Sequence, residues 1–279
     1  MPKCLTVYRK KTAKTLLNNE LFTKYMYYNV LFYQFQEIAD PLLLRDEHRL
    51  ITKQLNLLGK VLFSEEGING NVSGTKKETQ QYMDLLKRRF NDIEFKVGKT
   101  STHNFNKMVV KYRPEIITLK QDVDLTNTGD YIKAEELKEL LDKQEDIILL
   151  DGRNQYEAEF GTFKGSIVPP VNTFQEFPDF INKELADKKD KTIVTFCTGG
   201  IRCEKLSAYM KEQGFSNVKQ LQGGILTYGK EIGGDHWDGK CFVFDERLAV
   251  DMDNIDKVHD NKENTSCANP AYFKKEVQG

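Results

Sequence analysis

Cys197 ends a β-branched run, Thr192-Ile193-Val194-Thr195-Phe196, and is followed by Thr198-Gly199-Gly200-Ile201-Arg202. Glu204 to Met210 then reads as a helix. A thiol at the carboxyl end of a strand, before a glycine loop and a helix N-terminus, lies where open α/β sheets place their ligands. The amides of Thr198, Gly199, Gly200 and Ile201 would favour the thiolate, which is the nucleophile. Arg202 either adds a fixed positive charge to this anion cradle or turns inward to brace the loop. Cys203 is close enough to act as a resolving thiol after sulfenic acid formation, although packing in the first helical turn is the favoured reading. Asp151 and Arg153 end another strand and are expected to form an ion pair that supports the pocket. Glu157 either faces solvent or braces Arg153. Lys111 and Arg113 share one strand face while Val110 and Tyr112 take the other, a pattern suited to phosphate contact or to a solvated edge.

These residues need a scaffold, and hydrophobic periodicity outlines one. Asn29 to Phe35 reads as a strand. Asp40 and Pro41 start a helix that carries leucines to Leu58 and stops at Gly59. Val61-Leu62-Phe63, the turn at Glu65 to Gly70, a return strand, a helix between Ser73 and Phe90, and strands at Ile93–Val97 and Met108–Tyr112 follow. The order β-α-β-β-α-β is the ferredoxin-like, or acylphosphatase-like, arrangement. Residues 28–120 form this domain after an extension, 1–27; at their boundary Tyr25, Tyr27 and Tyr28 either stack on bases or pack on a neighbouring strand. Residues 121–129 are polar and turn-rich, a linker. From 130 to 235 strands alternate with helices, at Ile132–Leu141, Asp146–Leu150, Phe174–Leu185, Lys191–Phe196, Arg202–Gln213, Val218–Leu221 and Gly223–Lys230. That alternation implies a parallel sheet covered on both faces. Residues 236–279 are a C-terminal segment and polar tail. The fold class is thus α+β followed by α/β.

The 279 residues carry 39% hydrophobic and 30% charged side chains. No apolar run reaches membrane-spanning length, and the N-terminus has no secretory pattern. Five cysteines without framework spacing suit a reducing compartment, and hence the cytoplasm. They form no Cys-x-x-Cys pair and the four histidines are scattered, so no metal site is expected. No haem, flavin or iron motif is evident either. Residues 1–120 hold 21 Lys/Arg against 12 Asp/Glu, and the remainder 20 against 30. A basic half joined to an acidic half points to a nucleic-acid partner.

Cys197 to Arg202 resembles the active-site loop of rhodanese domains, a six-residue cradle for a persulfide or an anion. The related dual-specificity phosphatases have one residue more, so the shorter spacing favours sulfur or redox chemistry. The resemblance extends to the tRNA uridine hydroxylase group of rhodanese-domain proteins. Its markers are Glu65-Glu66-Gly67-Ile68-Asn69-Gly70, Met108 to Leu119, Asp151-Gly152-Arg153-Asn154-Gln155-Tyr156-Glu157, Cys197 to Lys205, and Trp237 to Arg247. It implies an acylphosphatase-like domain fused to a rhodanese domain. It also implies hydroxylation of the wobble uridine of tRNA to 5-hydroxyuridine, with molecular oxygen as co-substrate and no obligate protein partner. A sulfurtransferase working through a Cys197 persulfide is the alternative. Many members end in a cysteine-rich, zinc-like tail; here only Cys267 stands in that region. The Glu65–Gly70 segment is expected to meet the rhodanese domain or read a base edge. Trp237 is expected to cover the domain junction or stack on a base, the former being favoured.

Overall fold

The computed structural model describes residues 26–258 other than Asp256. The readings placed on residues 1–25 and on Cys267 lie outside the described residues.

β1 (Tyr27–Phe35) opens the N-terminal domain and starts inside the expected extension. Tyr27 packs on the ring of His103, with centroids 4.1 Å apart. α1 (Pro41–Gln54) begins as its sequence requires: Leu43 N–H donates to Asp40 Oδ1 at 2.8 Å, and Pro41 takes the first position. It ends earlier than expected. Asn56 adopts the left-handed conformation, φ +50°, and Gly59 already lies within β2 (Leu58–Ser64). Asparagine is the second choice for this stop after glycine, so the leucines beyond it extended the helical pattern falsely. β3 (Gly67–Thr75) returns antiparallel to β2. α2 (Lys76–Arg89) is held at its start by the reciprocal Thr75–Glu78 capping box. β4 (Glu94–Thr100) and β5 (Met108–Tyr112) complete a five-stranded sheet of order β4-β1-β3-β2-β5. Its first four strands make the ferredoxin-like set, and β5 adds parallel to β2.

Strand alternation sorts the two faces of this sheet. Val30, Phe32, Val61, Phe63, Ile68 and Val72 pack into the core beneath α1 and α2. The residues one step out of phase form the open face. Across it the register aligns Lys96, Leu31, Asn71 and Lys60 in one row, and Glu94, Tyr33, Asn69, Leu62 and Lys111 in the next.

Residues 113–129 form neither helix nor strand. β6 (Asp130–Ile132) follows, where a helix was expected to begin at Ile132. Three residues on a sheet edge carry too little periodicity to announce a strand. α3 (Ala134–Asp142), β7 (Ile147–Asp151), the one-turn α4 (Gln155–Ala158), β8 (Gly161–Phe163), α5 (Phe177–Glu184), β9 (Thr192–Phe196), α6 (Ile201–Glu212), β10 (Asn217–Leu221) and α7 (Gly224–Glu231) then run in order. The parallel sheet has the order β6-β10-β9-β7. Val194 and Phe196 point to a core shared with Leu137, Ile225 and Tyr228, while Ile193 points to one shared with Ile181, Leu206 and Met210. Helices therefore cover both faces.

β11 (Trp237–Gly239) folds back antiparallel to β8, and β12 (Cys241–Phe242) pairs with β13 (Ala249–Val250). Trp237 is a core residue of the rhodanese-like domain, packed edge-on against Phe163 at 5.0 Å. It neither covers the domain junction nor presents a face to a base. Among the described residues no helix is long and apolar enough to cross a membrane.

Candidate active site

β9 delivers Cys197 to the carboxyl edge of the parallel sheet, and α6 leaves from the far end of the loop. The loop turns through Gly200 at φ +102°, a conformation that strains any residue with a Cβ. This turn brings the Gly200 N–H to 3.2 Å from Cys197 Sγ, pointing at the sulfur. The loop carbonyls face the other way. The N–H groups of Ile225 and Leu226, in the first turn of α7, donate to the carbonyls of Cys197 at 2.9 Å and Thr198 at 3.1 Å. Gly224 permits that approach, since a Cβ there would lie 2.5 Å from the Cys197 carbonyl oxygen.

The thiol is buried, which alone would raise its pKa. A hydrogen bond from Cys203, the charge of Arg202 and the amides of Arg202 and Gly200 outweigh burial and bring it down to about 5. The thiolate therefore predominates at neutral pH. Cys203 moves the opposite way: burial and its hydrogen bond to Cys197 push its thiol well above the usual range. It is packed in the first turn of α6 and supports the Cys197 thiolate as a donor.

Arg202 both braces and charges the site. Its Nη1 and Nη2 donate to Glu157 Oε2 and Oε1 at 2.6 and 2.8 Å in a buried bidentate pair. The Glu157 carboxylate thus holds Arg202, while its main-chain carbonyl accepts from Arg153 Nη1 at 3.4 Å; the residue is fully buried, not exposed. Asp151 and Arg153 do form the expected pair, with Arg153 Nη2 2.6 Å from Asp151 Oδ2 and both side chains fully buried. Gly152 lies between them, where a Cβ would sit 3.3 Å from Leu206 on α6. The pair thus stands behind the loop and supports it.

The open face of the N-terminal sheet covers the front of the loop. A Cβ at Gly199 would meet Leu31 at 2.9 Å, and one at Gly200 would meet the Tyr33 hydroxyl at 2.9 Å. Tyr33 donates to Glu204 Oε1 at 2.9 Å, Tyr131 to the same oxygen at 2.8 Å, and Gln220 to Oε2 at 3.1 Å. Glu204 is buried, and burial raises its pKa despite these three donors. Next to it on α6, Lys205 reaches Glu66 at 2.8 Å and Glu115 at 2.7 Å. The Glu65–Gly70 segment therefore meets the rhodanese-like domain, one of the two roles expected of it. Tyr33, Tyr131, Glu204, Lys205 and Glu157 were not recognised as site residues from sequence. The one signal was the pair of charged residues, Glu204-Lys205, opening a helix that is buried from Arg202 to Met210.

Lys111 and Arg113 lie away from this thiol. Lys111 is half-buried, opposite Leu62 on the open face, and Arg113 is exposed just past the end of β5. Among the described residues no group of three or more His, Cys, Asp or Glu side chains could hold a metal ion.

A thiolate at the end of a rhodanese-like sheet, capped by the open face of an acylphosphatase-like domain, defines a two-domain thiol enzyme. The UPF0176 acylphosphatase like domain matches residues 27–116 and the Rhodanese-like domain matches residues 133–231. A tRNA uridine(34) hydroxylase of Staphylococcus saprophyticus is 45% identical over 84% of this chain and 76% of its own length. Proteins of the same name from Staphylococcus haemolyticus and Bacillus velezensis are 43% and 40% identical, over 86% and 89% of this chain and 80% and 82% of their own lengths. The chain belongs to the tRNA uridine(34) hydroxylase family.

Proposed function

We propose that this chain is an enzyme that hydroxylates C5 of uridine 34, the wobble position, in tRNA, giving 5-hydroxyuridine. Cys197 is the reacting thiol, tRNA the macromolecular substrate and molecular oxygen the co-substrate. The observation that carries the reading is the thiolate cradle, with the Gly200 amide 3.2 Å from Sγ and Arg202 locked beside it, in a chain of this family. Replacing C5–H by C5–OH removes two electrons from the base. Dioxygen takes up four, so two more come from a pair of thiols that become a disulfide, and the second oxygen atom leaves as water. Cys197 serves this change in one of two ways. Its thiolate adds to uracil C6, which makes C5 nucleophilic towards the oxidant, and departs when the C5 proton is lost. Alternatively, a cysteine–oxygen adduct on Sγ transfers its oxygen to C5.

The +9 excess of residues 1–120 favours that half as the main source of RNA affinity, with Lys111 and Arg113 as phosphate contacts. A sulfurtransferase would use the same cradle for a persulfide and ranks second, because the relatives over most of the chain are named as hydroxylases.

Nucleosides from cells carrying only Cys197→Ser should lack 5-hydroxyuridine by mass spectrometry, while tRNA binding is retained. Growth under labelled oxygen gas should place the label in that nucleoside in the wild type. Undiminished 5-hydroxyuridine in the mutant strain would sink the thiol assignment. Unlabelled product, or equal modification without oxygen, would sink the oxygen-dependent reaction.

A further inference from the structure

Between the open face of the N-terminal sheet, the Cys197 loop, α7 and residues 243–247 lies a cleft of about 230 Å³. Three side-chain atoms on its wall are buried without a hydrogen-bond partner: Asn29 Oδ1, Asn71 Oδ1 and Thr198 Oγ1. Leaving such an atom unpaired is costly, so three on one wall mark a place for a partner that the chain itself does not supply. The orientation of Asn29 is settled by chemistry. Its amide nitrogen donates to Asp245 Oδ2 at 3.3 Å, and a carboxylate held by Arg247 can only accept. The oxygen is therefore the end left over. The cleft offers two amide carbonyls and one hydroxyl, and that hydroxyl belongs to the residue directly after the reacting cysteine.

The apolar part of the wall suits a flat ring. Leu31, Leu226 and Val243 line the cleft, and Phe244, half exposed, stands with them. Aromatic faces of this kind stack on bases irrespective of sequence. Lys96, Lys230 and Arg247 line it together with Glu94, Glu231 and Asp245, a balanced set of charges that suits a neutral base. A uracil ring presents one donor, N3–H, between two carbonyl acceptors. Cytosine presents an acceptor at N3 and an amino group at C4 in place of that pattern.

We propose that this cleft receives the uracil base of the substrate, with Asn29 Oδ1 accepting from N3–H and Thr198 Oγ1 donating to O4. The assignment rests on the reading of the chain as a uridine-modifying enzyme and adds the residues that recognise the base. C5 is bonded to C4, so an O4 held by Thr198 brings the reacting carbon to the loop that carries Cys197. Asn71, one strand over, is left to accept from a ribose hydroxyl. Cytidine in this position would set its N3 lone pair against the Asn29 oxygen, which gives the site a preference for uridine.

The test uses the full-length protein and fluorescent anticodon stem–loops carrying either uridine or N3-methyluridine at position 34. The methyl group removes the N3 donor. Wild-type protein should bind the methylated RNA about tenfold more weakly, the worth of one well-placed hydrogen bond. Asn29→Ala should bind the uridine RNA about tenfold more weakly than wild type and show no further loss on methylation. Each ratio compares two RNAs on the same protein, so a partly misfolded variant lowers both affinities alike and leaves the ratio readable. No methylation penalty in the wild type, or a full penalty retained in Asn29→Ala, would overturn the assignment. These outcomes are separate from the activity itself. Missing 5-hydroxyuridine in wild-type cells overturns the hydroxylase reading, whereas a retained penalty alongside normal 5-hydroxyuridine overturns only the placement of the base.

Discussion

Asp151-Gly152-Arg153 and Asp245-Glu246-Arg247 are one three-residue brace built twice. In each, the arginine main-chain N–H donates to aspartate Oδ1 at 3.0 Å. Nε donates to the same oxygen at 2.9 and 2.8 Å, and Nη2 to Oδ2 at 2.6 Å in both. Spacing alone sets that local geometry. The remaining partners differ. Arg153 also donates to the carbonyls of Gly161 at 2.7 Å and Glu157 at 3.4 Å, and its guanidinium lies 5.4 Å from the Trp237 ring. These partners all belong to the rhodanese-like half. Asp245 instead takes the amide of Asn29, and Glu246 N–H donates to the Asn104 carbonyl, both in the N-terminal domain. The first brace is an internal strut behind the catalytic loop. The second clasps two domains at the wall of the cleft. The same residues at the same spacing therefore do different work according to what else reaches the carboxylate.

The strut should give the largest effect on stability. Arg153→Met leaves the Asp151 carboxylate buried without its cation and removes the ring contact with Trp237. The expected loss is about 3–5 kcal/mol. Arg247→Met should cost less, about 1.5–3 kcal/mol, because the buried Asp245 carboxylate keeps the Asn29 amide as a donor, whereas losing Arg153 also leaves the Gly161 and Glu157 carbonyls without its guanidinium. Arg247→Met should also weaken binding of a uridine stem–loop, since Asp245 no longer holds Asn29 in place. Denaturant melts and RNA titrations on both variants test this pair of statements. Equal losses of stability with no change in RNA affinity would erase the distinction between strut and clasp.

The first brace stands behind the loop that carries the reacting thiol. The Cys197 pKa of about 5 lies below the ordinary cysteine value of about 8.5. The sign follows from linkage: a depressed folded-state pKa contributes stability that is complete above about pH 8.5 and is lost as pH falls through about 5. Ultraviolet thiolate absorbance should therefore titrate with a midpoint near 5 in the wild type and lose that step in Cys197→Ser. The other two described cysteines do not confuse the measurement. Burial pushes Cys241 up to about 12, and Cys203 is raised as well. Arg202→Gln should move the midpoint upward, because the sulfur loses the positive charge that helps to hold its pKa down. A midpoint that stays near 5 in that variant would assign the stabilisation to the loop amides and Cys203 alone.

Signals confined to a few consecutive residues were legible in the sequence. The Cys197–Arg202 loop, the Asp40–Pro41 helix start, the Glu65–Gly70 hairpin and the Asp151–Arg153 pair all depend on local spacing. What was missed depends on distant partners. Glu157 gives no local sign that it will pair with Arg202, 45 residues away. Trp237 reads as a cover for the domain junction until β11 folds back onto β8. Asn29 and Asn71 look like ordinary polar strand positions, and only the register of β1 on β3 puts both on the open face. The stop of α1 was misplaced because Asn56 and Gly59 are both plausible ends and only the β2 register chooses between them. The chemistry of the site and the fold of its covering domain were therefore readable, whereas the side chains that this domain brings to the loop, Leu31 and Tyr33, were not.

The smallest expected effects lie farthest from the clasp and sharpen the comparison in a different quantity. Lys111 shares a row of the open face with Tyr33 and Asn69, three strands from β1, and Arg113 continues that edge into solvent. A side chain that meets a phosphate releases about one counterion, so its loss lowers the slope of log affinity against log salt by about 0.7–0.9. Lys111→Ala and Arg113→Ala should each produce that change, with only a few-fold loss of affinity at moderate salt. Asn29→Ala should do the reverse, with a larger loss of affinity and an unchanged slope, because an amide oxygen displaces no ion. Salt-titrated binding of one stem–loop to the three variants separates these behaviours. If Lys111→Ala and Arg113→Ala both keep the wild-type slope, neither side chain touches a phosphate, and the basic excess of the N-terminal half must act through other lysines and arginines.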